Sequence, residues 1–380
     1  MTRSLVLAIN VGSSSLKFAL FEDEDGAPRS RVHSGTIDRV GEGGRDPGRA
    51  LDLALSQLEP YGGLGRVQAV GHRVVHGGPR FDGPRRVSAE VLDELRRLAV
   101  LDPDHLPGEI AVIEAIGARA PELPQVACFD TAFHRTMPRV ARIVPIPRRY
   151  EAQGVQRYGF HGLSYEYLVG ELARVAGDSA ARGRVVLAHL GAGASLAAVR
   201  DGRGVETTMS FTPTAGIPMA TRSGDLDPGV MLYLLRDQRM TPDELDDLVN
   251  HRSGLLGISE SSGDMRDLLG REASDPRAAD AVDVFCYRAR QAIGALAAAL
   301  GGLDTLVFSG GIGENAAPVR ARILQGLEHL GAYLDGARND AGAPVISTDA
   351  SACTVRVLRT DEESIVVEQT LRTLRAAPAG

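Results

Sequence analysis

Two short apolar runs open the chain, Ser4–Asn10 and Leu16–Phe21, separated by the small polar turn Gly12-Ser13-Ser14-Ser15. Apolar runs of this length around a tight turn predict a β-hairpin. The design recurs halfway along, where Val185–Leu190 and Ala194–Arg200 flank Gly191-Ala192-Gly193. Two similar hairpins, each opening about half of the chain, predict a duplicated domain. Between them, the apolar spacing is helical over Ala89–Val100 and Ile110–Arg119, and strand-like over Val67–Val70 and Val126–Asp130. In the second half an Ala-rich helix is expected over Ala279–Leu300 and a strand over Thr305–Phe308. Ser309-Gly310-Gly311-Ile312-Gly313-Glu314-Asn315 then opens another helix. Thr360 with Glu363 predicts a capping box at the start of the last helix. Strands and helices alternate throughout, which is an α/β pattern.

At 380 residues the chain exceeds one ordinary core, so two domains are expected. Net charge of −7 and pI near 5.8 argue against a nucleic-acid or anionic-membrane partner. No apolar run reaches membrane-spanning length, and Met1-Thr2-Arg3-Ser4 leads straight into a strand without a secretory signal. Cys128, Cys286 and Cys353 are odd in number and far apart, which predicts reduced thiols in the cytosol with neither disulfide nor zinc site.

Arginine supplies 41 of the 42 basic residues, and the one lysine, Lys17, stands beside the first Gly/Ser turn. A compact ammonium kept where arginine is otherwise universal suits a phosphate-binding loop. There is no Gly-x-x-x-x-Gly-Lys-Ser/Thr, so the loop is not a P-loop. Three Gly-rich turns at strand ends, each able to bring backbone N–H groups close to an anion, favour a nucleotide polyphosphate. Arg73, in Gly71-His72-Arg73-Val74-Val75-His76-Gly77-Gly78 after the strand Val67–Val70, and Arg222, in Met219–Pro228, offer guanidinium forks for a small acid and a phosphoryl group. The plainer reading pairs Arg222 with Asp225. Asn10, Asp130 and Glu362 are hard oxygen donors suited to Mg²⁺ held through waters. His161, in Tyr158-Gly159-Phe160-His161-Gly162, either steadies a transition-state charge or is structural.

These motifs, with Phe129–His134 and Gly310–Asn315, occur in the order and spacing of acetate kinases, which the chain resembles from end to end. That family lies in the acetate–sugar kinase/heat-shock-cognate/actin superfamily. The resemblance therefore implies two duplicated ribonuclease-H-like domains with a nucleotide cleft between them. They would span 1–148, rejoined by a C-terminal helix 364–380, and 149–363. It implies the reaction ATP + acetate ⇌ ADP + acetyl phosphate, with Mg²⁺ or Mn²⁺, in a homodimer. Asn10, Ser13, Ser15 and Lys17 would form the first phosphate loop, and His189–Ser195, with Gly191 and Gly193, the second. Asp264, Met265, Arg266, Gly311, Ile312, Gly313 and Asn315 would hold the adenosine. Asp130, Asn10 and Glu362 would organise the metal. Arg73 and Arg222 would grip the carboxylate and the moving phosphoryl group, His161 would help stabilise the transition state, and Val75, Phe160 and Pro213 would line the acyl pocket.

The chain departs from the family pattern in three places. Ala192 replaces the usual Asn of the second phosphate loop, and Pro218 and Ala220 interrupt a run that is normally glycine-rich. Asp102-Pro103-Asp104-His105-Leu106-Pro107 replaces Ala-Pro-Leu-His-Asn-Pro, which aligns Asp104 with a leucine of the methyl pocket. Either Asp104 faces solvent or the acyl substrate differs from acetate, because a buried unpaired carboxylate is costly. The competing readings are a propionate or other short-chain acyl kinase, a nucleotide-binding sensor of the same superfamily that does not catalyse, and an acyl-phosphate hydrolase.

Overall fold

The computed structural model describes residues 4–12, 15–24, 27–38 and 46–376; Ser13 lies outside the described residues. The chain divides into two compact units. The first comprises residues 1–133, 161–167 and 361–380, and the second residues 134–160 and 168–360.

In the first unit β1 (Ser4–Val11), β2 (Ser15–Glu24) and β3 (Ala27–Asp38) form an antiparallel meander. β4 (Val67–Val74) and β6 (Gln125–Phe129) run parallel to β1, and the two-residue β5 (Arg85–Arg86) adds to the edge, giving the order β3-β2-β1-β4-β6-β5. The alternation of side chains sorts the sheet into two faces. Val6, Ala8, Ala19 and Cys128 pack on Ile365, Val366 and Val367 of the helix Glu362–Arg375. Leu7, Ile9, Leu16 and Phe18 face the opposite way, with Val112 and Ile116 of the helix Leu106–Arg119.

The second unit repeats the plan. β7 (Val185–Leu190), β8 (Ala194–Arg200) and β9 (Arg203–Thr207) are an antiparallel meander, while β10 (Thr305–Ser309) and β11 (Thr354–Val357) run parallel to β7. The order β9-β8-β7-β10-β11 is that of β3-β2-β1-β4-β6. The duplication expected from two hairpins is therefore a duplication of whole sheets, each with the strand order and directions of the ribonuclease-H-like fold. The long helix of this unit spans Pro276–Leu300. Asp275 caps its start by accepting from Arg277 N, Pro276 fills the first turn, and Gly301 in the left-handed region ends it. Val282, Phe285, Ala289, Ile293 and Leu296 recur at helical spacing and are buried.

Two local expectations are corrected. Arg73 does not follow a strand but lies within β4, because the ladder with β1 and β6 continues through residues 71–74. The last helix begins at Glu362 and is capped by Asp361, whose Oδ1 accepts from Ser364 N at 3.1 Å. A carboxylate one residue later than Thr360 takes the cap, and the Thr360–Glu363 box does not form.

Candidate active site

Strand register places the first cluster. Lys17 of β2, Asn10 of β1 and Arg73 of β4 are direct neighbours across the sheet, one row beyond the apolar residues that meet the helix Glu362–Arg375. They share a face with Val6, Ala8, Ala19 and Cys128, so they emerge where the helix begins and Glu362 stands. Arg73 donates from Nε and Nη2 to Asp130, the residue just past β6, at 3.1 and 2.6 Å. Its Nη1 donates to Asn10 Oδ1 at 3.0 Å, and Asn10 Nδ2 donates to Glu362 Oε2 at 3.1 Å. Glu362 Oε2 also lies 3.7 Å from Arg73 Nε. Asp130 is fully buried, and the Arg73 side chain is 13% exposed. Burial works against the Arg73 charge, but Asp130 and Glu362 overcome it and raise its pKa.

His161 adjoins this cluster through Gly162. A Cβ on Gly162 would come within 1.9 Å of the Asp130 carbonyl oxygen, so only glycine lets this turn close on Asp130. His161 itself has φ 57°, a left-handed conformation that costs a residue with a Cβ and is held only where the surroundings impose it. Lys17 is exposed, and Gly12 N donates to Ser15 O at 2.7 Å across the first turn.

In the second unit two Gly-rich turns converge. Gly310, at φ 75°, lies so close to Leu190 that a Cβ would meet the Leu190 carbonyl oxygen at 2.7 Å. A Cβ on Gly191 would stand 3.8 Å from Gly311 N and 4.0 Å from His189 Nε2. His189 pairs with Ser195 and Ser309 in the sheet, and Gly191 N donates to Gly193 O at 3.0 Å. Asn315 Nδ2 folds back to Gly311 O at 2.9 Å, closing the helix Gly310–Asn315 that also carries Ile312 and Gly313. Arg320, 1% exposed, backs this helix: its Nη1 donates to the carbonyls of Gly313 and Glu314 at 2.9 and 3.0 Å, and its Nε to Asn339 Oδ1 at 2.8 Å. Nothing in the sequence separates Arg320 from the other arginines.

Arg222 and Pro213 are together, with Nη1 3.5 Å from the Pro213 carbonyl. Asp225 instead accepts from Gly216 N at 2.9 Å. Ala220 N donates to Ala192 O at 3.0 Å, so two departures from the family pattern meet through their backbones. That bond ties the Arg222 loop to the second Gly-rich turn. Asp264 and Arg266 pair with each other: Asp264 caps the helix Met265–Arg271, accepts from Arg266 N and Nε, and its pKa is lowered chiefly by the Arg266 side chain. Arg266 is exposed and Met265 buried. Val75, Phe160 and Pro213 are buried. Asp104 is exposed, which meets the first of the two expectations for it. Two acids of that region are buried, Asp102 and Glu109, and motif reasoning misses Glu109. It sits on the apolar stripe Leu106, Ile110, Ile113 at helical spacing, and an acid on such a stripe is the signal that marks it.

The family model described as the acetokinase family matches residues 44–368. The chain belongs to that family. It is 44% identical to an acetate kinase of Rhodopseudomonas palustris, over 97% of this chain and 98% of that protein. It is 41% identical to a propionate kinase of Citrobacter rodentium, over 97% and 96%. The crystal structure of Porphyromonas gingivalis acetate kinase matches with a TM-score of 0.87 at 34% identity, covering 98% of this chain and 100% of that one. Such overlap from end to end accounts for both ribonuclease-H-like sheets. Among the described residues no helix is long and apolar enough to cross a membrane.

Proposed function

We propose that this chain is an ATP-dependent acetate kinase, forming acetyl phosphate and ADP reversibly by direct in-line transfer. The observation that carries the reading is the Arg73 cluster: a guanidinium oriented by a buried carboxylate, on a chain akin to acetate kinases along its whole length. A carboxylate is already a nucleophile at neutral pH, so positioning and charge neutralisation dominate over general-base chemistry. Arg73, aimed by Asp130, holds the acid, and Val75, Phe160 and Pro213 line the site of its alkyl group. Arg222 neutralises charge on the moving phosphoryl group, and His161 adds a donor to it. Ser13, Ser15, Lys17, His189, Gly191 and Gly193 bind phosphates. Asp264, Met265, Arg266, Gly311, Ile312, Gly313 and Asn315 hold the nucleoside.

Asn10, Asp130 and Glu362 fit a Mg²⁺ (or Mn²⁺) held through water. Two carboxylates against one guanidinium leave one negative charge, and Asp130 is engaged by Arg73. Among the described residues no three His, Cys, Asp or Glu side chains converge on a direct metal cage. When bound with the nucleotide, the ion would neutralise phosphate charge. The free, buried Cys128, Cys286 and Cys353 fit a reducing cytosol. A homodimer through the second unit is supported by the helix Pro228–Arg236, which buries none of its residues and exposes Val230, Met231, Leu232 and Tyr233.

Acetate is the leading acid and propionate the second reading, supported by the Citrobacter relative. One methylene is worth about 1–3 kcal/mol in an apolar pocket. Competing acetate, propionate and butyrate in an ADP-release assay decides the order. A kcat/KM for propionate or butyrate above that for acetate would displace acetate.

A further inference from the structure

Behind the Arg73 wall stands a buried acid that no role above uses. Glu109, 2% exposed, lies in the first turn of the helix Leu106–Arg119, and both its oxygens are 3.2 Å from the backbone N of Val75. That N–H lies just past the end of β4, where the ladder no longer supplies a partner. The preceding carbonyl, Val74 O, accepts from Asp130 N at 3.0 Å. The strand end carrying Arg73 and Val75 is thus fixed from two sides, by Asp130 and by Glu109.

An apolar side chain would fill the Glu109 position at less cost, because its helical neighbours Leu106, Ile110 and Ile113 are core residues. A carboxyl there has a partner to hold. Burial pushes the Glu109 pKa up; Arg73 opposes this, while Asp102 and Asp130 add to it. Asp102 is buried as well, with Oδ1 2.7 Å from His105 Nδ1 and Oδ2 unpartnered. The groups that bear on Glu109 are therefore Arg73 from β4, Asp130 from beyond β6, and Asp102, with its partner His105, from the loop before the helix.

We propose that Glu109 is a positioning residue for acid binding: its carboxyl pins Val75 N–H and so fixes the strand end that presents Arg73 and Val75 to the carboxylate substrate. The proposal rests on the carboxylate-kinase reading. It is tested on the full-length protein with Glu109→Leu and Glu109→Gln. The leucine variant is expected to raise the acetate KM about tenfold or more, with the ATP KM changed by less than about twofold. It should also speed hydrogen exchange in peptides covering Val75. Glutamine keeps an acceptor for Val75 N–H, so it should restore both the exchange and most of the acetate affinity. An unchanged acetate KM in Glu109→Leu, or equal rises in both KM values, overturns the proposal. If the wild type makes no acyl phosphate, the kinase reading fails by itself. Exchange at Val75 still decides the pinning: unchanged protection in Glu109→Leu overturns it.

Discussion

Replacing Arg73 by Met removes the guanidinium bonded to Asp130, a side chain with no exposure to water. Both partners are well under one-third exposed, so solvent screening discounts the pair little. Breaking a buried ion pair by removing one partner costs about 3–5 kcal/mol. Asp130 can relieve part of this by taking up a proton, which places the expectation near 3 kcal/mol. At roughly 2–4 °C per kcal/mol for a unit of this size, the melting temperature should fall by about 10 °C. Asp130→Asn should cost less, because Glu362 remains 3.7 Å from Arg73 Nε and still balances it. The double variant should be less damaged than the sum of the two, by a coupling of about 2 kcal/mol. Urea unfolding of the four proteins, with thermal melts alongside, measures the cycle. A coupling below about 0.5 kcal/mol would refute the idea that Asp130 and Arg73 act as one unit.

Arg222→Ala should lower kcat by about 10²–10³, the scale for losing a preorganised charge-stabilising donor, and a raised acetate KM at normal turnover would remove Arg222 from that role. Lys17→Arg should raise the ATP KM well beyond the usual effect of that exchange; unchanged ATP kinetics would leave the lone lysine without significance. Burial lowers the pKa of both His72 and His134 to about 4. Their unfolded forms bind a proton near pH 6.5, so between these values the unfolded chain holds more protons and stability falls as pH drops. Each should contribute a loss of roughly 3 kcal/mol by pH 4, and His134→Leu should flatten the pH dependence of urea stability. Arg320→Met should destabilise the second unit by about 3 kcal/mol and raise the ATP KM, since the buried carbonyl of Gly313 and the part-buried one of Glu314 lose their donor; unchanged ATP binding would confine Arg320 to stability.

Short apolar runs around small-residue turns make the strands of both hairpins legible, with β7 and β8 matching to the residue. The strand order within each sheet is not legible, because pairing depends on contacts distant in sequence. Arg73 reads as a loop residue because Gly71 and His72 interrupt the apolar run; in the sheet, Gly71 makes room for Val366 and Thr370. The helix cap shifts because Thr360 and Asp361 are both competent caps, and only the fold decides between neighbours. Of the candidate site residues, Arg73, Asp130, Asn10 and Glu362 stand out by their chemistry and motifs. Their convergence follows from register and from the return of the last helix to the first sheet, which no local pattern encodes. Glu109 and Arg320 escape sequence reasoning for opposite reasons. Glu109 carries a signal on its apolar stripe, whereas Arg320 is one arginine among many.

The most direct test is to trap the product. Incubating the protein with ATP, Mg²⁺, hydroxylamine and a panel of C1–C6 carboxylic acids should yield acyl hydroxamate, with acetate among the best acids and ADP formed in equal amount. ATP binding without hydroxamate from any acid would contradict a carboxylate kinase and favour a nucleotide sensor.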